Sequence, residues 1–333
     1  ASHEGEKVAV TGAVTRLAGI GLIVAGAALA APVARADYPD KTVKIMLGFA
    51  AGGGADILAR WYADKLQQTT GATFIVENKV GASGNLALDA TAKARPDGHT
   101  LLFASTVTTA GNTHVFKNLP VDVTKDLVPI TYFGETPFVL VVAPHSPINS
   151  VADLTAHIRS KGGKATFGWA TTSAIASTAL YLASAGVEAT PVGYKATATA
   201  VTDVTAGQID FAFADIVFAT GQARQGRVKI LAVTSEERSP GLPDVPSLKD
   251  YGVPTGEITP LWGVWAPART PREVIDKLAK WVNDITAMPA TREFLIMQGA
   301  TPKIGSPEDY RKRFETAMKA WSRAVSIAKI EPQ

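Results

Sequence analysis

One unit constrains this chain more than any other feature. It is an apolar run of strand length, a loop of small residues and an amphipathic helix, and it recurs along the sequence. "TVKIMLGF" (42–49) is a run of β type, and beyond the loop "AAGGGAD" the segment "DILARWYADKLQQ" sets Ile57, Leu58, Trp61, Tyr62 and Leu66 at helical spacing. Asp56 stands where it caps that helix. "TFIVENK" (73–79) predicts a second strand, "VGASGN" opens a helix reaching Ala94, and "RPDG" turns the chain into a third strand, "HTLLFAS". Repeats of this kind predict a mostly parallel sheet with helices on its faces.

The middle of the chain follows the same order. "FVLVVAP" (138–144) reads as a strand, "SVADLTAHI" as a helix start with Ser150 and Asp153 in capping-box spacing, and "ATFGWA" (165–170) as a strand running into "TTSAIASTALYLASAG". A helix over 195–206 closed by Gly207, strands at "QIDFAFAD" and "RVKILAVTS", and a final strand "LWGVWAPA" follow, and the last helices start at Thr270–Glu273 and Ser306–Asp309. The predicted fold is α/β with two domains, each a mostly parallel sheet flanked by helices. The chain is expected to cross between them twice, near Pro137 and near Pro260, which gives limits of 37–136 plus 261–333 for the first domain and 137–260 for the second.

Residues 1–36 read differently. Lys7 and Arg16 precede "LAGIGLIVAGAALAA", and Ala34-Arg35-Ala36 supplies small residues at the −3 and −1 positions of a signal peptidase site. A membrane span needs about twenty apolar residues, more than this Gly- and Ala-rich run offers. A cleaved secretory signal is expected, with the mature chain starting at Asp37. With 333 residues, 46% of them hydrophobic and 19% charged, the chain buries a core for one large or two ordinary domains. Its net charge of +3 is scattered among acidic residues, which excludes the basic stripe of a nucleic-acid binder. There is no cysteine, so disulfides, thiolate metal sites, Cys nucleophiles and a lipidated Cys anchor are excluded.

Open α/β sheets put their chemistry beyond the carboxyl ends of the strands. Those ends hold Gly52, Gly53, Gly54, Ala55 and Asp56 after the first strand, Ser105, Thr106 and Asn112 after the third, Thr171, Thr172, Ser173, Ala174 and Ile175 after "FGWA", and Asp215 after "QIDFAFA". The set is nearly free of cations. A bare loop opening a helix receives a carboxylate or phosphate on unpaired N–H groups, although three glycines equally suit a tight turn. Two such helix starts facing each other would suit a dicarboxylate, and Trp169, Phe103 and Phe218 stand near strand ends where an apolar waist is needed. No G-x-S-x-G, G-x-x-x-x-G-K-[ST] or G-x-G-x-x-G pattern occurs, and His3, His99, His114, His145 and His157 form no H-E-x-x-H pair. Ser173, His114 and Asp215 supply the residue types of a hydrolase triad, a combination that arises by chance in most chains of this size. The chain reads as a non-enzyme without metal or cofactor.

"YPDKTVKIMLGFAAGGGADILAR", "VENKVGASGNLAL", "ARPDGHTLLFAS", "VGYKATATAVTDVTAGQIDFAF" and "LWGVWAPARTP" together resemble the substrate-binding proteins of tripartite tricarboxylate transporters, the Bug receptors. The resemblance spans nearly all of the chain beyond residue 36. It implies a monomeric periplasmic binding protein with two crossovers that closes on a small carboxylate and hands it to a membrane permease. It further implies that Gly52–Ala55 and Thr171–Ile175 grip the ligand. Two departures stand out: "GWATTSAIASTAL" puts Ser177 and Thr178 where relatives carry a helix His, and "YKATAT" lacks the glycine that commonly follows "YK". A periplasmic sensor acting on a two-component kinase would present the same pocket, and a periplasmic hydrolase is the remote alternative.

Overall fold

The computed structural model describes residues 38–332, so the predicted signal segment lies outside the described residues. The chain runs β1 (Val43–Leu47), α1 (Gly54–Thr70), β2 (Phe74–Asn78), α2 (Asn85–Ala92), β3 (Thr100–Ser105), a π-helical turn (Val107–Gly111), α3 (Asn112–Val115), α4 (Val123–Asp126), β4 (Leu127–Glu135) and β5 (Phe138–Val142). It continues through α5 (Val151–Ser160), β6 (Thr166–Trp169), α6 (Thr172–Ala185), β7 (Thr190–Gly193), α7 (Thr197–Thr205), β8 (Phe211–Asp215), α8 (Ile216–Arg224) and β9 (Lys229–Val233). After a long irregular stretch come β10 (Leu261–Pro267), α9 (Arg272–Ala287), α10 (Pro289–Met297), β11 (Thr301–Pro302) and α11 (Pro307–Ala328).

These strands form two sheets, ordered β11-β4-β10-β3-β1-β2 and β7-β6-β8-β5-β9. The sheets are mixed rather than mostly parallel. Within each, the strand–helix–strand units give parallel pairs, β1 with β2 and β3, and β6 with β7 and β8. The crossing strands run the other way: β10 is antiparallel to β3 and β4, and β5 is antiparallel to β8 and β9. The reversal follows from connectivity, because β5 and β10 each enter their sheet from the other sheet rather than by a helical crossover. The two sheets thereby share one plan, a parallel trio flanked by an incoming strand and its antiparallel neighbour.

Three strands escape the sequence reading, the two-residue β11 and, for a common reason, β4 and β7. β4 carries Pro129 in its interior, where a missing N–H argues against a strand, and the structure places that proline beside a register shift opposite Trp265. β7 is short, contains Pro191 and lies at a sheet edge, where the missing donor costs nothing.

The two connections between sheets lie side by side. β4 neighbours β10 in one sheet and β5 neighbours β9 in the other, and the Thr136 N–H donates to Pro260 O at 3.0 Å. Phe138 and Thr234 exchange hydrogen bonds, Phe138 N–H to Thr234 Oγ1 and Thr234 N–H to Phe138 O, both 2.9 Å. α1 buries Leu58, Tyr62 and Leu66 on one face against β1 and α9, with the Tyr62 hydroxyl 2.7 Å from Thr286 Oγ1. Full burial of side chains of this size stabilises by about 1.5–3 kcal/mol each. α11 packs on β4 but also along α6, so that Trp321 and Ala324 share one core with Leu180 and Tyr181. The last helix thus packs on the first sheet and against a helix that covers the second.

Candidate functional site

Parallel β1, β2 and β3 end together, Leu47 opposite both Asn78 and Phe103, so the loops that follow them converge. Gly48 has no room for a Cβ beside Gly84, and a Cβ at Gly84 would sit 3.0 Å from the Thr108 methyl. Asn112 Nδ2 donates to Ser83 O at 3.0 Å and to Asn85 Oδ1 at 2.7 Å, joining the turn after β3 to the loop after β2. That loop holds four successive residues at positive φ: Gly81 (144°), Ala82 (46°), Ser83 (54°) and Gly84 (92°). Ala82 and Ser83 pay strain for this conformation, of a kind that collects at ligand sites. The sequence reading saw 80–85 only as a helix start. Asn112 acts as a strut here, with both amide hydrogens taken by protein acceptors.

The glycine loop is the most open of these segments. Gly52, Gly53 and Gly54 are exposed, and no atom lies within 4 Å of a Cβ built on Gly52 or Gly54. Only Gly52, at φ +80°, needs the freedom of glycine; Gly53 lies at φ −77°. Gly53 is the N-cap of α1 and no side chain caps the helix, which leaves the first-turn N–H groups of Gly54 and Ala55 directed outward.

Asp56 does not cap α1 and is not offered to a ligand. It is 2% exposed, and its carboxylate accepts from the Gly52 N–H at 2.9 Å, from Arg60 Nε at 2.8 Å and from Asn78 Nδ2 at 2.9 Å. Burial alone would raise its pKa, but these donors outweigh it and bring the carboxyl down to about 2. A carboxyl lowered in the folded state stabilises above its unfolded pKa and loses that contribution as pH falls through the folded value. Urea unfolding followed by circular dichroism should therefore show wild-type stability dropping more steeply than that of Asp56→Asn between pH 3.8 and about 2. Parallel curves would show that the carboxylate is not held by these donors.

In the second sheet the ends of β6 and β8 carry Thr171 to Ile175 and Asp215. Thr171 is the N-cap of α6, its hydroxyl accepting from Ala174 N–H at 3.2 Å. Ser173 and Ala174 are buried, whereas Thr172 and Ile175 stay partly exposed. Asp215 caps α8 by accepting from Phe218 N–H at 2.9 Å, and burial raises its pKa. Ser105 is buried opposite Trp262, and the Thr106 hydroxyl accepts from Leu261 N–H at 3.1 Å and points to Thr259 O. Thr106 thus ties the turn after β3 to the start of β10. Phe103 is core, in contact with Phe133, and it is Phe49 and Trp262, with ring centroids 5.8 Å apart, that lie at the loop bases.

The register brings the two groups of loops together. Ser105 faces Trp262, which faces Gly134, and Asp215 faces Phe138, so the loop ends of both sheets flank the crossing strands. Only Thr136 and Pro137 separate Glu135 from Phe138, a reach of at most about 11 Å. Gly299 packs against Ile216 and Val217 at the start of α8, closing one side. The cations beside the glycine loop are already paired, Arg60 with Asp56 and Lys79 with Glu77.

A cavity of about 300 Å³ lies beside the crossing strands, lined by Thr106 of the turn after β3 together with Glu135, Glu237, Glu257, Lys303 and Arg313. Two of its cations stand in ion pairs, Lys303 with Glu237 at 3.3 Å and Arg313 with Glu135 at 3.5 Å. Among the described residues no cluster of three or more His, Asp or Glu side chains is arranged to hold a metal, and no hydrogen bond links Ser173, His114 and Asp215. No helix among them is long and apolar enough to cross a membrane.

The sequence profile of the tripartite tricarboxylate transporter family receptor, TctC, matches residues 58–329. BugT of Bordetella pertussis is 31% identical over 312 residues, which cover 93% of this chain and 96% of BugT. The structure of Rpa4515 from R. palustris with adipate matches at a TM-score of 0.78 and 30% identity, over 89% of this chain and 100% of that one. MatC from Rhodopseudomonas palustris with bound malate matches at 0.71 and 28% identity, over 86% and 100%.

Proposed function

This chain belongs to the tripartite tricarboxylate transporter receptor family, and on that premise we propose that it is a periplasmic receptor for a small dicarboxylate. The observation that carries this reading is the uncapped start of α1, where an exposed, side-chain-free loop leaves the amides of Gly54 and Ala55 without acceptors, while the neighbouring Arg60 and Lys79 are already paired. Helix N-termini favour anions through unpaired N–H groups and the helix dipole, and such a site takes carboxylates without an arginine. The second carboxylate belongs at the start of α6, across the crossing strands. Adipate and malate in two relatives at 28–30% identity are both diacids, which supports two anion-binding ends.

In this reading residues 37–136 plus 261–333 form one domain and 137–260 the other, with the ligand between them. The protein is a monomer without cofactor, exported by the segment 1–36 and cleaved near Ala36. It delivers its solute to the membrane subunits of a tripartite transporter rather than converting it. Thermal unfolding with adipate, malate, citrate and hexanoate tests the ligand class. A ligand that binds only the folded state stabilises by about 2.7 kcal/mol at a hundredfold excess over its Kd. Adipate or malate should raise the transition more than citrate, and hexanoate should leave it unmoved. A transition indifferent to all four would remove the carboxylate reading.

A further inference from the structure

We propose that Asp56 and Asn78 are positioning residues, a buried polar clamp that sets the affinity of the glycine loop for its ligand without touching that ligand. The proposal rests on the carboxylate-receptor reading and names what holds its binding loop in shape.

The loop has almost nothing else to hold it. Residues 50–54 are exposed and nothing packs where side chains at Gly52 and Gly54 would lie. Its one internal hydrogen bond, Gly53 N–H to Ala50 O, is long at 3.4 Å. Ordering a residue costs about 1–2 kcal/mol in backbone entropy, most for glycine, so a bare loop with no packing drifts unless it is tied at both ends.

The ties are Asp56 and Asn78. Asp56 takes the N–H of Gly52, the residue at positive φ, while Asn78 Nδ2 donates both to Phe49 O and to Asp56 Oδ1, each at 2.9 Å. Arg60 closes the network by donating Nε to Asp56 at 2.8 Å and Nη2 to Asn78 Oδ1 at 3.0 Å. Three segments, the end of β2, the loop and the first turns of α1, are thus joined around one nearly inaccessible carboxylate. Because Arg60 neutralises it, the carboxylate at this helix start shapes the loop without repelling an incoming anion.

The experiment uses adipate as probe on the whole chain, comparing wild type with Asp56→Ala, Asp56→Asn and Asn78→Ala. Calorimetry gives affinity, amide hydrogen exchange reports Gly52 and Gly53, and thermal unfolding reports stability. Sub-ångström placement of binding groups governs affinity, so Asp56→Ala and Asn78→Ala should each weaken adipate binding by about tenfold or more. Exchange of the Gly52 and Gly53 amides, which are hydrogen-bonded in this loop, should accelerate by a similar factor while the rest of α1 stays protected. Asp56→Asn keeps an acceptor for Gly52 and should fall between. A merely structural role would lower the unfolding transition and leave the affinity of folded protein unchanged. Affinity within twofold of wild type, or tighter binding through a liberated Arg60, in folded Asp56→Ala and Asn78→Ala overturns the proposal. If wild type itself binds neither adipate nor malate, the carboxylate reading fails, and unchanged exchange at Gly52 and Gly53 in both variants then overturns the clamp.

Discussion

Gly54→Val should bind dicarboxylate more weakly by about 1–3 kcal/mol, the loss expected for a charge-assisted hydrogen bond, while folding as well as the wild type. The space around Gly54 is open and its φ is not in the left-handed region, so a valine meets no neighbour and strains no backbone. Helix propensity also favours valine over glycine at a helical position. What the isopropyl group does occupy is the volume just outside the first turn of α1, where a carboxylate has to approach the Gly54 and Ala55 amides. Strain cannot account for a loss at this position, as it would at Gly52, where φ is +80°. Calorimetry with adipate beside thermal unfolding separates the two effects. Unchanged affinity in a folded Gly54→Val protein would reduce the loop to a turn.

Trp265→Ala should cost about 3–5 kcal/mol of stability, the usual range for removing a buried tryptophan. Trp265 lies on β10, one of the two crossing strands, and is completely buried against Tyr310 and Phe314 of α11, with ring centroids 5.0 and 5.1 Å away. Its indole N–H donates to the Tyr310 hydroxyl at 2.9 Å, so truncation leaves both a cavity and an unpartnered buried hydroxyl. For a chain of this size the transition should fall by about 5–8 °C. Trp265→Phe, which keeps most of the volume and loses the hydrogen bond, should cost less. A loss below about 1 kcal/mol for the alanine variant would mean that α11 is not anchored to the first sheet through this contact.

Much of the fold was legible because the strand–helix units obey local rules. The apolar runs at 42–49, 99–105 and 208–215 contain β1, β3 and β8, and Ser306 with Asp309 forms the capping box expected at the start of α11. What escaped was decided by partners remote in sequence. Pro129 and Pro191 argue against strands until a register shift and a sheet edge are known to receive them. The direction of β5 and β10 depends on which sheet each joins, which no window of residues reports.

The candidate site divides the same way. The bare loop at 52–54 could be read directly, since a run of glycines beside a helix start advertises exposed amides. The role of Asp56 could not, because its partner Asn78 lies 22 residues away on another strand. Asn112 and Thr106 stand at strand ends alike in the sequence, whereas in the structure Asn112 is a strut between loops and Thr106 is tied to β10 at the wall of the charged cavity. A polar residue at a strand end is ambiguous until the neighbouring loops are in place. Asn78, closing "IVEN" just before a loop, carried the one available hint, a side-chain amide at a strand end.

The most direct test of the central claim is a titration of isotopically labelled protein with adipate, followed through its backbone amide resonances. If the carboxylates are held by the helix starts, the largest shifts should fall on Gly54 and Ala55 and on the first turn of α6 at Thr172 and Ser173, saturating together. Shifts confined to the residues around the charged cavity, such as Glu135, Lys303 and Arg313, with the amides of Gly54 and Ala55 unmoved, would contradict it.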